Sequence, residues 1–424
     1  MKGIKKIIVL LLLGTMLVTS MSGCTKPEVK EGDPITIVVW HTLADQHEAA
    51  FQKVIDGFNA SQTKYVVVAE QQPWNEFDAK LMQATRNGTG PDVTSMWPTT
   101  AIQYITEGLL TDFAPFINDP KTGIPGFKES LAPGLYEEIT QWGENSIYLF
   151  PLTGTGEVLF YNKTMFDELG IPAPKTWSDV EAYSKLIKEK KGIPGFGSDS
   201  ITDTFLCLIK QAGSDYIDAK NVVINMDRNI AIEKLNWFGD GVKNGYFRLV
   251  GDDYYFSNPF GSQAVASYIG SSAGVSYVFA AVGDKFEVGC VPIPQEGPVK
   301  YISSWGIGDV CLTKDPEKAR GVYEFLKYYR QNEVLIQWGA DFGAIPYYLD
   351  ALKTDQFKDF ADTNIAIKAL AENLHYAGML PSILGTAGVR IRLDEMVQKV
   401  ALGTADAATA FDDFVKAANA ELKP

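Results

Sequence analysis

Residues 270–274 read Gly-Ser-Ser-Ala-Gly, a G-x-S-x-G spacing that would expose Ser272 as a nucleophile if it formed an elbow between strand and helix. An apolar segment precedes it and a possible helix follows. Acyl transfer would also need a histidine, and the chain has three: His41, His47 and His375. His375 is in the right chain order, but nothing marks its acidic partner. Small residues at a helix start more often hold a hydroxyl or phosphate through backbone N–H groups. Ser271 and Ser272 are therefore read as ligand contacts, with a secreted serine hydrolase as the alternative. His47-Glu48 opens like a zinc-binding helix, but Phe51 stands where the second histidine must be. Gly154-Thr155-Gly156 lacks the third glycine and the strand-to-helix context of a dinucleotide site, and there is no P-loop. No metal, cofactor or catalytic residue is expected.

A second group suits binding. A polyhydroxy ligand with apolar CH faces needs flat aromatic rings together with carboxylates, amides and hydroxyls. Trp40, Trp97 and Trp305 each end or interrupt an apolar run, which makes them candidate platforms or, equally, core residues of their own segments. His41 follows Trp40, and Gly306 follows Trp305. Glu70 and Gln71 are candidate hydroxyl partners. Thr153 and Thr155 lie on a glycine-loosened stretch and are better placed. Arg390 would grip a phosphate or carboxylate with two parallel hydrogen bonds if buried; on a surface it would pair with Asp394 at i+4.

The elements that must position these residues follow from periodicity. Residues 35–40 (ITIVVW) form a nearly continuous β-branched run, as in a strand covered on both faces. Phe51, Val54, Ile55 and Phe58 make a helical stripe ending at Asn59. Residues 65–69 predict a second strand, Asn75 a helix cap ahead of Phe77, Leu81 and Ala84, and residues 92–97 a third strand. This alternation predicts βαβ units on a parallel sheet, where ligands lie beyond the strands' carboxyl ends. Trp40, Glu70, Gln71, Trp74 and Trp97 all fall there.

Farther along, residues 147–151 and 158–161 predict two short strands separated by a flexible 153–156. Thr176 and Asp179 predict a capping-box variant that opens a helix running to about residue 190. Residues 286–294 predict another strand, 317–330 an amphipathic helix, and the chain beyond 346 is mainly helical. Leu393, Met396, Val397 and Val400 share one stripe ended by Gly403, and Phe411, Phe414, Val415 and Ala418 share the next.

The amino end reads as an address. Lys2, Lys5 and Lys6 precede an apolar run from residue 7, and Met21-Ser22-Gly23-Cys24 places small residues before a cysteine. This predicts a cleaved leader over 1–23 and lipid attachment at Cys24, with 24–33 as a flexible tether. Losing three lysines would leave 35 basic against 52 acidic residues, about −17. So acidic a chain is not built for nucleic acid. About 400 folded residues predict two domains. Cys207, Cys290 and Cys311 are an odd number without metal-ligand spacing, and buried thiols are expected.

These residues resemble a known family, the extracellular solute-binding proteins of ABC importers, in the group with maltose- and glycerol-phosphate-binding members. The specific stretch runs from Tyr148 to Trp177: Pro151, then Leu159-Phe160-Tyr161-Asn162-Lys163, Phe166, Gly170 and Pro174-Lys175-Thr176-Trp177. Trp40-His41, Gly90-Pro91-Asp92-Val93, Gly108-Leu109-Leu110 and the segment 260–274 fall in the family's order. Residues 389–395 are most similar to the glycerol-phosphate branch, in which an arginine at the Arg390 position contacts ligand. Ala344 replaces that branch's tyrosine before Leu-Pro, and no tryptophan stands near 203–208.

The resemblance implies an α/β fold of two lobes, each a mainly parallel sheet flanked by helices and joined by hinge strands, with crossings near 147–151, 288–292 and 342–346. The lobes would comprise 34–148 plus 292–343 and 149–291 plus 344–424. It further implies a non-enzymatic, monomeric binder that takes a sugar or polyol phosphate in the cleft and passes it to the ABC permease's transmembrane subunits. A macromolecule-binding surface lipoprotein is the remaining alternative.

Overall fold

The computed structural model describes residues 32–143, 145–378 and 380–423, with Ser304 and Trp305 defined by their backbone. Cys24, the leader 1–23 and the tether up to residue 31 lie outside the described residues. In chain order the strands are β1 (Ile35–His41), β2 (Tyr65–Gln71), β3 (Val93–Met96), β4 (Phe150–Asn162), β5 (Phe196–Ser198), β6 (Ile217–Asp218), β7 (Val223–Ile224), β8 (Phe247–Arg248), β9 (Ser267–Ser271), β10 (Val288–Pro292), β11 (Ile302–Cys311), β12 (Ile345–Pro346) and β13 (Ala377–Gly378).

The first strand shows why the chain folds this way. Ile37 and Val39 of β1 are fully or nearly fully buried, as a run apolar on both faces requires. The helix Asp45–Ser61 then lays Phe51, Val54, Ile55 and Phe58 against the sheet. β2 and β3 flank β1, both parallel to it. Asn75 does not cap a helix; a 3-10 turn at Trp74–Glu76 runs into the helix Phe77–Arg86, whose start has no side-chain cap. Trp97 leaves the third strand and caps the helix Pro98–Thr106 through its extended backbone, because Pro98 suits the first helical position. The Thr176–Asp179 capping box forms as expected and opens the helix Trp177–Lys191.

Strand order is β2-β1-β3-β11-β4-β9-β5-β8, and β4 joins two groups of strands into one continuous ladder. Its first half, Phe150–Gly156, pairs with β11; its second half, Glu157–Tyr161, pairs with β9. The flexible break expected at 153–156 is absent. Both glycines are held inside the strand because neighbours occupy the space a side chain would need: a Cβ on Gly154 would stand 1.6 Å from Tyr347 Oη, and one on Gly156 2.6 Å from Leu370 Cδ1. Close approach of another side chain, and not looseness, accounts for them.

Strand directions locate the cleft. β3 and β4 are both antiparallel to β11, so β1, β2 and β3 point the same way as β4, toward the second group of strands. β9 is antiparallel to β4, and β5 and β8 are parallel to β9. The two groups therefore aim their carboxyl ends at each other. The helix Asn332–Phe342 packs on the helix Asp45–Ser61, whereas Thr386–Ala401 packs on Arg228–Lys243 and Ala407–Glu421, which places these segments in opposite halves. Among the described residues, no helix is long and apolar enough to cross a membrane. Cys207 and Cys311 are buried thiols, Cys290 is half-buried, and all three are free.

Candidate functional site

A narrow pocket, with about 40 Å³ of space accessible to water, lies where the two sets of strand ends meet. Trp97, Pro98 and Thr99 at the end of β3 form one wall, with Glu138 from the helix Pro133–Ile139. Tyr216 and Arg390 form the opposite wall, Gly306 of β11 forms the floor, and the segment 380–386 closes one side. That segment is tied across the gap: Trp142 Nε1 donates to the Ser382 carbonyl at 2.8 Å, and the Ser382 N–H donates to Gln141 Oε1 at 2.6 Å.

Three of the expected contacts line this pocket: Trp97, Gly306 and Arg390. Trp97 is 39% exposed, enough to present a ring face. Gly306 leaves room for a carboxyl group, since a Cβ there would lie 2.7 Å from Glu138 Oε2. The sheet register shifts between Gly306 and Gly308, and such irregularities re-aim neighbouring groups. Arg390 does not pair with Asp394 in an exposed i+4 bridge. Its Nη2 donates to both carboxylate oxygens of Asp203, at 3.1 Å each, from the helix Ile201–Gln211.

The other expected residues sit elsewhere. Trp40 is buried and donates through Nε1 to Glu70 Oε2 at 2.7 Å, with the Lys80 ammonium 5.0 Å from the centre of its ring. This polar edge belongs to the ends of β1 and β2. His41 is buried edge-on against Phe51, and burial lowers its pKa despite the opposing pull of Glu48. Gln71 is exposed and donates to the Leu43 carbonyl. Thr153 is buried, its hydroxyl accepting from Trp338 Nε1 at 3.2 Å. Thr155 is half-buried, and its backbone lies opposite Trp305.

Ser272 is fully buried, and its hydroxyl accepts the Gly156 N–H at 3.4 Å, so the G-x-S-x-G segment locks the strand crossing. A nucleophile elbow needs the hydroxyl exposed. Ser271 is exposed but accepts the Ala273 N–H at 3.3 Å. His375 belongs to the 3-10 turn Leu374–Tyr376, its ring 3.8 Å from that of Tyr376.

Several site residues escaped the motif reading. Glu138 shares a buried stripe with Leu135 and Ile139, and an acid at i+3 on an apolar stripe was the available signal. Burial pushes its carboxyl up to about 8, so it carries a proton at neutral pH and can donate. Tyr216 Oη is buried with no hydrogen-bond partner among the described residues, and burial raises its pKa far above the usual phenol range. Behind Arg390 lie two buried acids, Asp203 and Glu157, with the half-buried Asp199 near Glu157. Burial pushes Asp203 up while Arg390 and the Ser200 hydroxyl pull it back; Glu157 is driven well up by burial and by Asp203 and Asp199; burial raises Asp199 to about 6. Arg390 and the Ser200 hydroxyl thus favour the charged form of Asp203, while the neighbouring acids disfavour that of Glu157. Arg390 is the single lysine or arginine among the residues lining the pocket.

The chain matches proteins of known kind over most of its length. The sequence profile of the bacterial extracellular solute-binding proteins matches residues 53–366. The sn-glycerol-3-phosphate-binding periplasmic protein UgpB of Rhizobium meliloti is 23% identical over 408 residues, covering 90% of this chain and 93% of the relative. Among solved structures, the cyclic alpha-maltosyl-1,6-maltose binding protein from Arthrobacter globiformis superposes with a TM-score of 0.81 at 21% identity, covering 92% of this chain and 99% of that one. UgpB from Mycobacterium tuberculosis, in complex with glycerophosphocholine, gives 0.74 at 18% identity, covering 92% and 98%. With its paired sheets, facing strand ends and a profile match spanning most of its length, this chain belongs to the bacterial extracellular solute-binding protein family.

Proposed function

We propose that the protein is the lipid-anchored substrate-binding component of an ABC importer, which captures a carbohydrate or a glycerol-phosphate-type polyol between two lobes and delivers it to the permease. The observation that carries this reading is the pocket itself, with Trp97 and Glu138 contributed from one side of the β4 crossing and Tyr216 and Arg390 from the other. A solute touching both walls gains its full contact only when they close, so binding favours the shut form. The lobes are assigned to 34–148 plus 292–343 and 149–291 plus 344–424, with β4, β10 and β12 at the crossings. The relatives' printed ligands, glycerol phosphate and maltosyl saccharides, fit the same mixture of ring, acid and guanidinium.

No chemistry is done on the solute: the best-placed serine is buried in a backbone hydrogen bond. Attachment through Cys24 and a monomeric state complete the reading. The test is thermal unfolding of the purified protein against sugars, oligosaccharides and glycerol phosphates. A true ligand at 100 times its Kd raises stability by about 2.7 kcal/mol. Failure of every solute, or recovery of an altered product, refutes the reading; retention of a Cys24→Ala variant in the membrane fraction refutes the anchor.

A further inference from the structure

The relatives' ligands divide into phosphate esters and uncharged saccharides, and the pocket's charges bear on that division. A phosphate needs a guanidinium whose parallel N–H groups are free to grip it. Here Arg390 already spends Nη2 on both oxygens of Asp203. Asp203 is 2% exposed, is tied to the Ser200 hydroxyl, and sits in the first turn of a helix with ten buried residues, so it cannot turn out to solvent. We propose that Asp203 is a specificity-determining residue that closes the pocket to phosphate esters and reserves it for uncharged polyhydroxy ligands. The inference rests on the cleft being the solute site.

A phosphate would have either to share a guanidinium whose charge the buried Asp203 carboxylate already answers or to draw Arg390 away and strand that carboxylate, and neither is favourable. Among the described residues no other lysine or arginine lines the pocket to add positive charge for it. Lys80 lies over Trp40, outside this lining. A saccharide meets what it needs. Tyr216 Oη is unpartnered among the described residues, Glu138 is positioned to donate to a ligand oxygen, and Trp97 offers a ring for CH faces. Further exposed rings follow the carboxyl ends of strands on both sides: Trp74 after β2, Tyr254 and Tyr255 after β8, and Tyr277 after β9.

The experiment is calorimetry on the full chain with maltose, maltotriose, sn-glycerol 3-phosphate, glycerophosphocholine and inorganic phosphate. A saccharide should bind, and the phosphate compounds should bind at least tenfold more weakly. Asp203→Asn keeps the side-chain shape and removes the negative charge that answers the guanidinium, so affinity for sn-glycerol 3-phosphate should rise about tenfold, and adding Arg390→Gln should abolish the gain. A wild-type preference for a phosphate ester, or a folded Asp203→Asn protein without that gain, overturns the proposal and leaves the solute-binding reading standing. Silence toward both classes overturns the reading and the proposal with it. If Asp203→Asn does not fold, the wild-type preference alone decides.

Discussion

The two walls of the pocket handle polarity differently. On the side of β1, β2 and β3, Trp40 and His41 are buried but other polar and aromatic groups reach water: Trp97 is 39% exposed, and Glu70 and Gln71 are exposed at the end of β2. On the side of β5, β8 and β9 the acids are sunk: Asp203 and Glu157 crowd behind Arg390 with the half-buried Asp199 near them, and Asp203 is 2% exposed. The first wall offers surfaces that a solute can use without repacking the protein. The second holds a preset charge arrangement whose members depend on one another. Mutations should accordingly cost affinity on the first wall and stability on the second, with Glu138, the buried acid of the first wall, as the boundary case.

The largest effect should come from Arg390→Ala, which leaves Asp203 buried without its cation; a loss of about 3–5 kcal/mol in urea unfolding is expected. A loss close to that of an exposed ion pair would break the contrast between the walls. Glu138 comes next. Its carboxyl titrates near 4.5 unfolded and about 8 folded, so the native state binds the extra proton between those values. The contribution of Glu138 to stability should be greatest below about pH 4.5, fall by up to about 1.4 kcal/mol per pH unit toward pH 8, and level off above. Comparing Tm with Glu138→Gln across that window should show a flatter profile in the variant; identical profiles would remove Glu138 as the source.

Trp97→Ala should weaken solute binding about tenfold, or about 1.4 kcal/mol, with Tm of the free protein unchanged. A large drop in Tm would make Trp97 a packing residue instead. The smallest effect belongs to Lys64→Ala, whose partner Glu317 lies across a solvent-exposed gap of 3.0 Å. Neither Tm nor affinity should move.

Sequence periodicity captured the elements whose burial repeats along the chain. β1, the helix Asp45–Ser61 and the capping box at Thr176 formed where expected because local pattern and tertiary packing agree there. The stretch 153–156 was misread because glycine reports equally on loose backbone and on close contact. Only the distant Tyr347 and Leu370 decide between them. The site was legible in part for the same reason. Trp97, Gly306 and Arg390 were marked by local motif or family likeness, whereas Tyr216 acquires its place only when segments far apart in sequence meet. Thr153 and Ser272 were both read as ligand contacts, but their hydroxyls serve Trp338 and Gly156.

The interposition of β11 between β3 and β4 also governs the order of assembly. β3 is made before residue 100 and β4 before residue 165, yet neither has its partner on that side until residue 311 has been synthesised. The first half of the molecule therefore cannot mature until residue 311 has emerged. Such long-range pairing makes a slow folder, and it keeps about three-quarters of the polypeptide open during synthesis, a state suited to threading through a narrow export channel before β11 clasps both halves shut.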